Sequence, residues 1–182
     1  MDDHRERFSS VALPFTRVVY GAAFRLCGRS DVADDVTQET YLRAFRTFDN
    51  FEPGTNCKAW LLTIMRSVLV NRYHHERRHP ETSIDAIVET THLATSDAAL
   101  LAIVDHVPAP EVEAALGALP PAFREAVVLV DLEELTYEEA ARVLDCPVGT
   151  LRSRLFRARR LLFDALYAHA VRTGYVTPEG RS

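Results

Sequence analysis

Five arginines, Arg152, Arg154, Arg157, Arg159 and Arg160, fall within nine consecutive residues. Guanidinium groups at this density grip phosphates, and their planar forks match the O6 and N7 edge of guanine. Leu151, Leu155, Ala158 and Leu162 run between them at steps of four, three and four. That spacing puts the apolar side chains on one helix face and leaves the arginines to fan around the rest. A helix of this kind, preceded by a compact helix and a turn, suits the major groove of DNA. Covalent chemistry has no comparable signal. The chain has no glycine-rich phosphate loop, no paired nucleophile and base, and no assembled metal signature. Glu138 and Glu139 are sequence neighbours that point to different helix faces, so they do not make an acid–base pair. His75 and His79 stand at i, i+4, but a metal would need a further ligand such as Cys57; solvated histidines are the simpler reading. The chain is read as a nucleic-acid binder, not an enzyme, with no cofactor.

The elements that must position the arginines are legible in the local pattern. Thr136 followed by Glu139 is a capping-box start for a helix over 138–144, with Ala140, Ala141 and Leu144 inward. Asp145-Cys146-Pro147 stops it, because proline disfavours helix before itself and donates no amide hydrogen bond. Gly149 and Thr150 then open the second helix, with Thr150 as its N-cap, and this helix is expected to run to about Val171. Upstream, Val112–Leu119, a Pro120-Pro121 break and a helix over Ala122–Leu132 precede the pair.

The N-terminal half also reads as helices. Phe8–Cys27 carries Val11, Phe15, Val18, Val19, Ala22 and Leu26 at helical spacing, with Pro14 marking a start or a bend and Gly28 a C-cap. A second helix is expected over Asp31–Phe45, its apolar stripe formed by Val36, Tyr41, Leu42 and Phe45. After a loop with Pro53 and Gly54, a third spans about Lys58–Arg77, with Trp60, Leu61, Ile64, Met65, Val68 and Leu69 inward. Residues 80–110 read as a flexible acidic linker, with one short helix near Ser96–Val104. The fold expected is all-α: two small helical domains, the C-terminal one containing a helix-turn-helix, followed by a frayed tail.

With 182 residues, 47% of them hydrophobic and 26% charged, the chain fits one or two soluble globular domains. Its formal net charge of −5 looks wrong for a DNA binder until the charges are mapped. No Lys or Arg occurs between Arg78 and Arg124, where Glu81, Asp85, Glu89, Asp97, Asp105, Glu111 and Glu113 cluster; the positive charge lies on either side. Local field, not net charge, governs phosphate attraction. The acidic stretch has a shielding role open to it beside the simpler role of a solvated linker. Lys58 is the single lysine among 21 basic residues, a bias that GC-rich codons account for. Cys27, Cys57 and Cys146 form no CxxC pair, and no signal peptide or membrane-length apolar run is seen, so a reducing cytoplasm is expected.

Three stretches together resemble the extracytoplasmic-function (ECF) group of the sigma-70 family of bacterial transcription initiation factors. DVADDVTQETYLRAF (Asp31–Phe45) looks like the family's core-polymerase-binding helix. FEPGTNCKAWLLTIMRSVLVNRYHHERR (Phe51–Arg78) looks like its promoter-melting, −10-reading segment. ALPPAFREAVVLVDLEELTYEEAARVLDCPVGTLRSRLFRARRLL (Ala118–Leu162) looks like its −35-reading domain. The resemblance implies a division into residues 1–79, a linker 80–110, a second domain 111–170 and a tail 171–182. It implies polymerase contacts from Asp35, Gln38, Glu39 and Arg43. The −10 contacts implied are Phe51, Asn56, Lys58, Arg66, Asn71 and Arg72, in a segment where the family holds a flipped base. The −35 contacts implied are Thr150, Arg152, Ser153, Arg154, Phe156 and Arg157. Ser67 and Asn71 stand where the family often has Asn and Asp, which affects the −10 preference. Core RNA polymerase, promoter DNA and an anti-sigma protein, often membrane-anchored, are the implied partners. An ordinary helix-turn-helix repressor or activator is the rival reading.

Overall fold

The computed structural model describes residues 2–76 and 107–174, and every regular element within them is helical. The short helix expected at 96–104, most of the linker and the end of the tail lie outside the described residues.

The first domain opens with α1 (Asp2–Ala12), a 3-10 turn (Leu13–Phe15) and α2 (Thr16–Cys27). Pro14 sits in that turn, so the apolar run breaks where a start or a bend is expected, at a residue that supplies no donor. Gly28 ends α2 at φ +70, and its amide donates to Phe24 O at 2.7 Å. That left-handed cap is the conformation glycine adopts without steric cost.

Helix α3 (Ser30–Arg46) packs on α2, and a 3-10 turn (Phe48–Asn50) leads towards α4 (Cys57–Glu76). The core between them holds Val19, Ala22, Ala23, Val36, Leu61, Leu62 and Met65, all at most 1% exposed. The stripe expected on α3 is corrected here. Val36 is buried, but Leu42 is 53% and Phe45 40% exposed; Val32, Ala33, Thr37, Thr40 and Ala44 fill the inner face instead. Thr37 and Thr40 are tolerated inside because their hydroxyls donate to Ala33 O and Val36 O, both at 2.7 Å. The Tyr41 hydroxyl donates to Ala12 O at 3.0 Å, tying α3 to the end of α1.

The second domain comprises α5 (Ala109–Ala118), α6 (Pro121–Val127), a π-helical turn (Val128–Leu132), α7 (Tyr137–Leu144) and α8 (Val148–Arg172). Pro120 and Pro121 separate α5 from α6, Pro121 occupying the first turn where no amide is missed. The helix expected over 122–132 therefore ends in a wide turn, closed by the Glu133 amide on Val128 O at 2.9 Å. The extra residue in that turn swings the Glu133 side chain inward, leaving the residue 7% exposed.

Around α7 the local reading holds. Thr136 Oγ1 accepts from the Glu139 amide and the Glu139 carboxylate accepts from the Thr136 amide, a complete capping box. Asp145 ends the helix at φ 50 and ψ 51, a left-handed conformation that aspartate tolerates. The expected N-cap at Thr150 is incorrect. Helix α8 starts at Val148 with Pro147 as the preceding cap residue, and Thr150 lies inside the first turn. Pro147 lends its carbonyl to the Leu151 amide at 3.1 Å, so the chain is already helical at Thr150.

The two domains pack on each other: α4 lies against α7, and α2 against α5, α6 and the π turn.

Candidate nucleic-acid and protein interfaces

On α8 the expected division of faces is present. Leu151, Leu155, Ala158 and Leu162 are buried, while Arg152, Ser153, Phe156 and Arg157 are exposed and Thr150 and Arg154 are partly so. Phe156 is 51% exposed, a large apolar ring held in water. Arg152 is not free to swing. Its Cζ lies over the Tyr137 ring at 5.5 Å from the centroid, a cation–π contact between the recognition helix and the first residue of α7. Arg159 is drawn out of the arginine fan: its Nη2 and Nε bond both oxygens of Asp131, at 2.6 and 3.1 Å. It braces α8 to the π turn.

A second constellation lies on the first domain. Asp35, Gln38, Glu39 and Arg43 share a groove of about 710 Å³ whose opposite wall is Asn71 and Arg72 of α4, with Val36, Leu42 and Val68 beneath. Arg72 Nη1 bonds Asp35 Oδ2 at 3.0 Å, and Arg43 Nε bonds Glu39 Oε1 at 2.6 Å. The groove is thus charge-balanced and open, with a polar rim over an apolar floor formed in part by exposed Leu42. That pattern suits a protein partner.

The six residues expected at the −10 element are not brought together. Asn71 and Arg72 belong to this groove. Phe51 packs into an aromatic cluster, 5.8 Å from Phe48 and 5.1 Å from Trp60 between ring centroids. Asn56, Lys58 and Arg66 meet the second domain. The Asn56 amide donates to Glu139 Oε1 at 2.9 Å, Lys58 Nζ bonds Glu133 O, and Arg66 Nε lies 3.3 Å from Glu125 Oε1. Asn56 also caps α4, its Oδ1 accepting from the Ala59 amide at 3.3 Å, a role its residue type signals directly and the sequence reading passed over.

Electrostatics differ between the acids at this seam. Hydrogen bonds from Asn56 and from the Thr136 amide hold the Glu139 carboxyl below the usual carboxylate range. Glu133 is pushed up by burial, only partly offset by Arg25 and Lys58. Arg25 lies 3.7 Å from Glu133 and 3.6 Å from Glu113, and Arg124 Nη1 donates to Leu26 O at 3.1 Å. None of these joints has a signal in the sequence, where the domains read as independent. Burial also raises the Cys57 thiol, which favours the inert form. Among the described residues no helix is long and apolar enough to cross a membrane.

A helical pair with an outward arginine face, packed on a helical bundle with an open polar groove, is the architecture of a two-part DNA-binding protein. The Sigma-70 region 2 family matches residues 14–79 and the Sigma-70, region 4 family matches residues 110–162. Over 145 residues the chain is 40% identical to the ECF RNA polymerase sigma factor EcfG of Rhodopseudomonas palustris, spanning 80% of this chain and 77% of that protein. It is 37% identical over 157 residues to the ECF RNA polymerase sigma factor SigE of Mycolicibacterium smegmatis, spanning 85% and 60% of the two chains. Among solved structures, the sigma factor RpoE in complex with the anti-sigma factor NepR from Bartonella quintana superposes with a TM-score of 0.69 at 28% identity, covering 92% of this chain and 98% of that one. CnrH in complex with the cytosolic domain of CnrY gives 0.63 at 26%, covering 90% of each. The chain belongs to the ECF RNA polymerase sigma factors of the sigma-70 family, a family of transcription initiation factors.

Proposed function

We propose that the chain docks on core RNA polymerase through the Asp35, Gln38, Glu39 and Arg43 groove and directs it to promoters by two separate readers. Residues 1–79 supply the first, in which Phe51, Asn56, Lys58, Arg66, Asn71 and Arg72 engage the opened −10 strand. Residues 111–170 supply the second, in which Thr150, Arg152, Ser153, Arg154, Phe156 and Arg157 read the −35 duplex. Residues 80–110 are the tether that raises the effective concentration of one reader once the other is bound.

The observation that carries this reading is the two-faced α8, with its leucines buried and Arg152, Ser153, Phe156 and Arg157 outward. Arginine forks and an exposed phenylalanine are the chemistry for guanine edges and thymine methyls. A well-placed fork is worth about 1–3 kcal/mol of discrimination at one base pair. An anti-sigma partner belongs to the same proposal, supported by the two solved relatives described above, one bound to an anti-sigma factor and the other to a cytosolic domain. A membrane-anchored partner would hold a cytoplasmic sigma factor at the membrane.

Run-off transcription with purified core polymerase on a randomised promoter library tests the proposal. Defined start sites sharing −10 and −35 motifs are expected, and Arg152→Ala should lose footprint protection over the −35 element. A chain that supports no defined starts would overturn the reading.

A further inference from the structure

We infer that Asp131 is a specificity-determining residue of the −35 reader: it holds the Arg159 guanidinium away from DNA and so limits the reader's sequence-blind grip on phosphates. This inference rests on the −35 assignment proposed above and adds two residues that the assignment leaves out.

Arg159 stands seven residues after Arg152 and three after Phe156, on the edge of α8 that both share. From such a place an extended guanidinium reaches the phosphates that flank a groove-bound helix. Arg159 does not extend that way. Its Nη2 and Nε bond the two oxygens of Asp131 at 2.6 and 3.1 Å. A fork held on both oxygens of a carboxylate is fixed in direction as well as paired in charge. The two side chains are only 21% and 25% exposed, so the pair is partly withdrawn from screening solvent.

The carboxylate is presented by a rigid stretch of backbone. Asp131 lies in the π turn, where Val128 and Leu129 are buried in the core. The Glu133 amide closes that turn on Val128 O at 2.9 Å, and the Leu135 amide reaches Leu129 O at 3.0 Å. Asp131 is therefore set opposite α8 by packing and main-chain bonds, independently of Arg159.

The consequence follows from what a phosphate contact does. It strengthens binding to every sequence alike, through released counterions, and carries no base information. Five arginines in nine residues are prone to this fault. On the correct duplex, base contacts by Arg152 and Phe156 fix where α8 stands, and a freed Arg159 takes whatever phosphate geometry that register offers. On an unrelated duplex the domain slides to the place where the fork fits best. Releasing Arg159 therefore favours wrong complexes over the right one. Discrimination is the difference between the two, and Asp131 preserves it.

The test uses the full chain and two duplexes, one carrying the −35 motif selected in run-off transcription and one with that motif scrambled. Fluorescence anisotropy gives the affinity for each across a salt series. For Asp131→Asn on the scrambled duplex, the slope of log affinity against log salt should steepen by about 0.9, one added phosphate contact. That is about a threefold gain at 50 mM salt relative to 200 mM. The preference for the selected duplex should fall at the lower salt. Exposed Glu134 supplies the charge-matched control: Glu134→Gln removes one negative charge without releasing an arginine and should leave the slope as it is. Asp131→Asn combined with Arg159→Gln keeps the net charge and should return the wild-type slope. Circular dichroism establishes that each variant folds, and if Asp131→Asn alone does not, the double variant decides. A double variant with a slope shallower by about 0.9 would show that Arg159 already grips a phosphate, and overturns the inference. A folded Asp131→Asn with wild-type slope and wild-type preference overturns it equally. Failure of the −35 reading itself looks different, because wild type would then show no preference between the two duplexes.

Discussion

The guanidinium of Arg152 lies over the ring of Tyr137, 5.5 Å from its centroid, so the two helices of the helix-turn-helix are joined through a residue proposed to read DNA. The ring limits the rotamers open to Arg152 and presents its fork in one direction. Such a contact is worth about 0.5–1 kcal/mol at an exposed site. Tyr137→Ala should therefore weaken binding to the −35 duplex about two- to fivefold. Tyr137→Phe, which keeps the ring and drops the hydroxyl, should restore it. Equal losses in both variants would remove Tyr137 from the positioning role.

The difference between neighbouring positions on α8 gives a sharper test of the face assignment. Leu155 is 2% exposed and Phe156 51%. Leu155→Ala should cost about 2–5 kcal/mol of stability, through lost burial and the cavity left behind. Phe156→Ala should change stability by no more than about 0.5 kcal/mol. Its loss should appear in −35 affinity instead. Urea denaturation and duplex binding, run side by side, separate the two effects. A Phe156→Ala variant that unfolds like Leu155→Ala would place the ring in the core.

What the sequence allowed to be read follows from how local each signal is. The capping box at Thr136 and Glu139, the left-handed cap at Gly28 and the buried leucine row of α8 depend on residues within a few positions of one another. All three stand in the structure as expected. Thr150 is not the N-cap, because Pro147 already supplies the cap geometry three residues earlier. Leu42 and Phe45 belong to the apolar stripe expected for this helix, yet both are exposed. Thr37 and Thr40 outcompete them because their hydroxyls are satisfied within α3 itself. The seam between domains was invisible for a different reason. Glu125, Glu133 and Glu139 look like solvated helix acids until a π turn and a second domain bring Lys58, Arg66 and Asn56 to them. A one-residue widening of a helical turn has no strong residue signature.

The capping box itself can be weighed. Thr136→Ala removes the acceptor for the Glu139 amide and one anchor of the Glu139 carboxylate. Losing a threonine cap costs about 1 kcal/mol. The thermal midpoint should fall by several degrees, since about 1 kcal/mol shifts a domain of this size by about 4–8 °C. Thr136→Ser should retain most of the stability. A thermal scan followed by circular dichroism decides it, and an unchanged midpoint for Thr136→Ala would mean the helix start is held by tertiary packing alone.

Glu133 makes stability depend on pH with a definite sign. It is 7% exposed at the seam, faced by Arg25 from α2, Lys58 from α4 and its own neighbour Glu134. Two cations close by would by themselves lower its pKa, yet burial outweighs them and the carboxyl is raised above its ordinary value of 4.5. The packed state therefore favours the protonated acid relative to the unfolded chain. The stability this confers is fully present below that ordinary value and is lost as pH rises through the raised one. Near neutral pH the ionised side chain is a cost that Arg25 and Lys58 offset only in part. Glu133→Gln removes the titration, and Arg25 still has Glu113 at 3.6 Å while Lys58 still has the main-chain carbonyl of residue 133. The variant should be more stable than wild type near neutral pH, because it carries no buried charge there. Its advantage should shrink on acidification, as wild-type Glu133 takes up its proton. Urea titrations of both proteins across that range provide the measurement. Parallel pH profiles would show that Glu133 is solvated or fully paired, and that the seam closes without a buried acid.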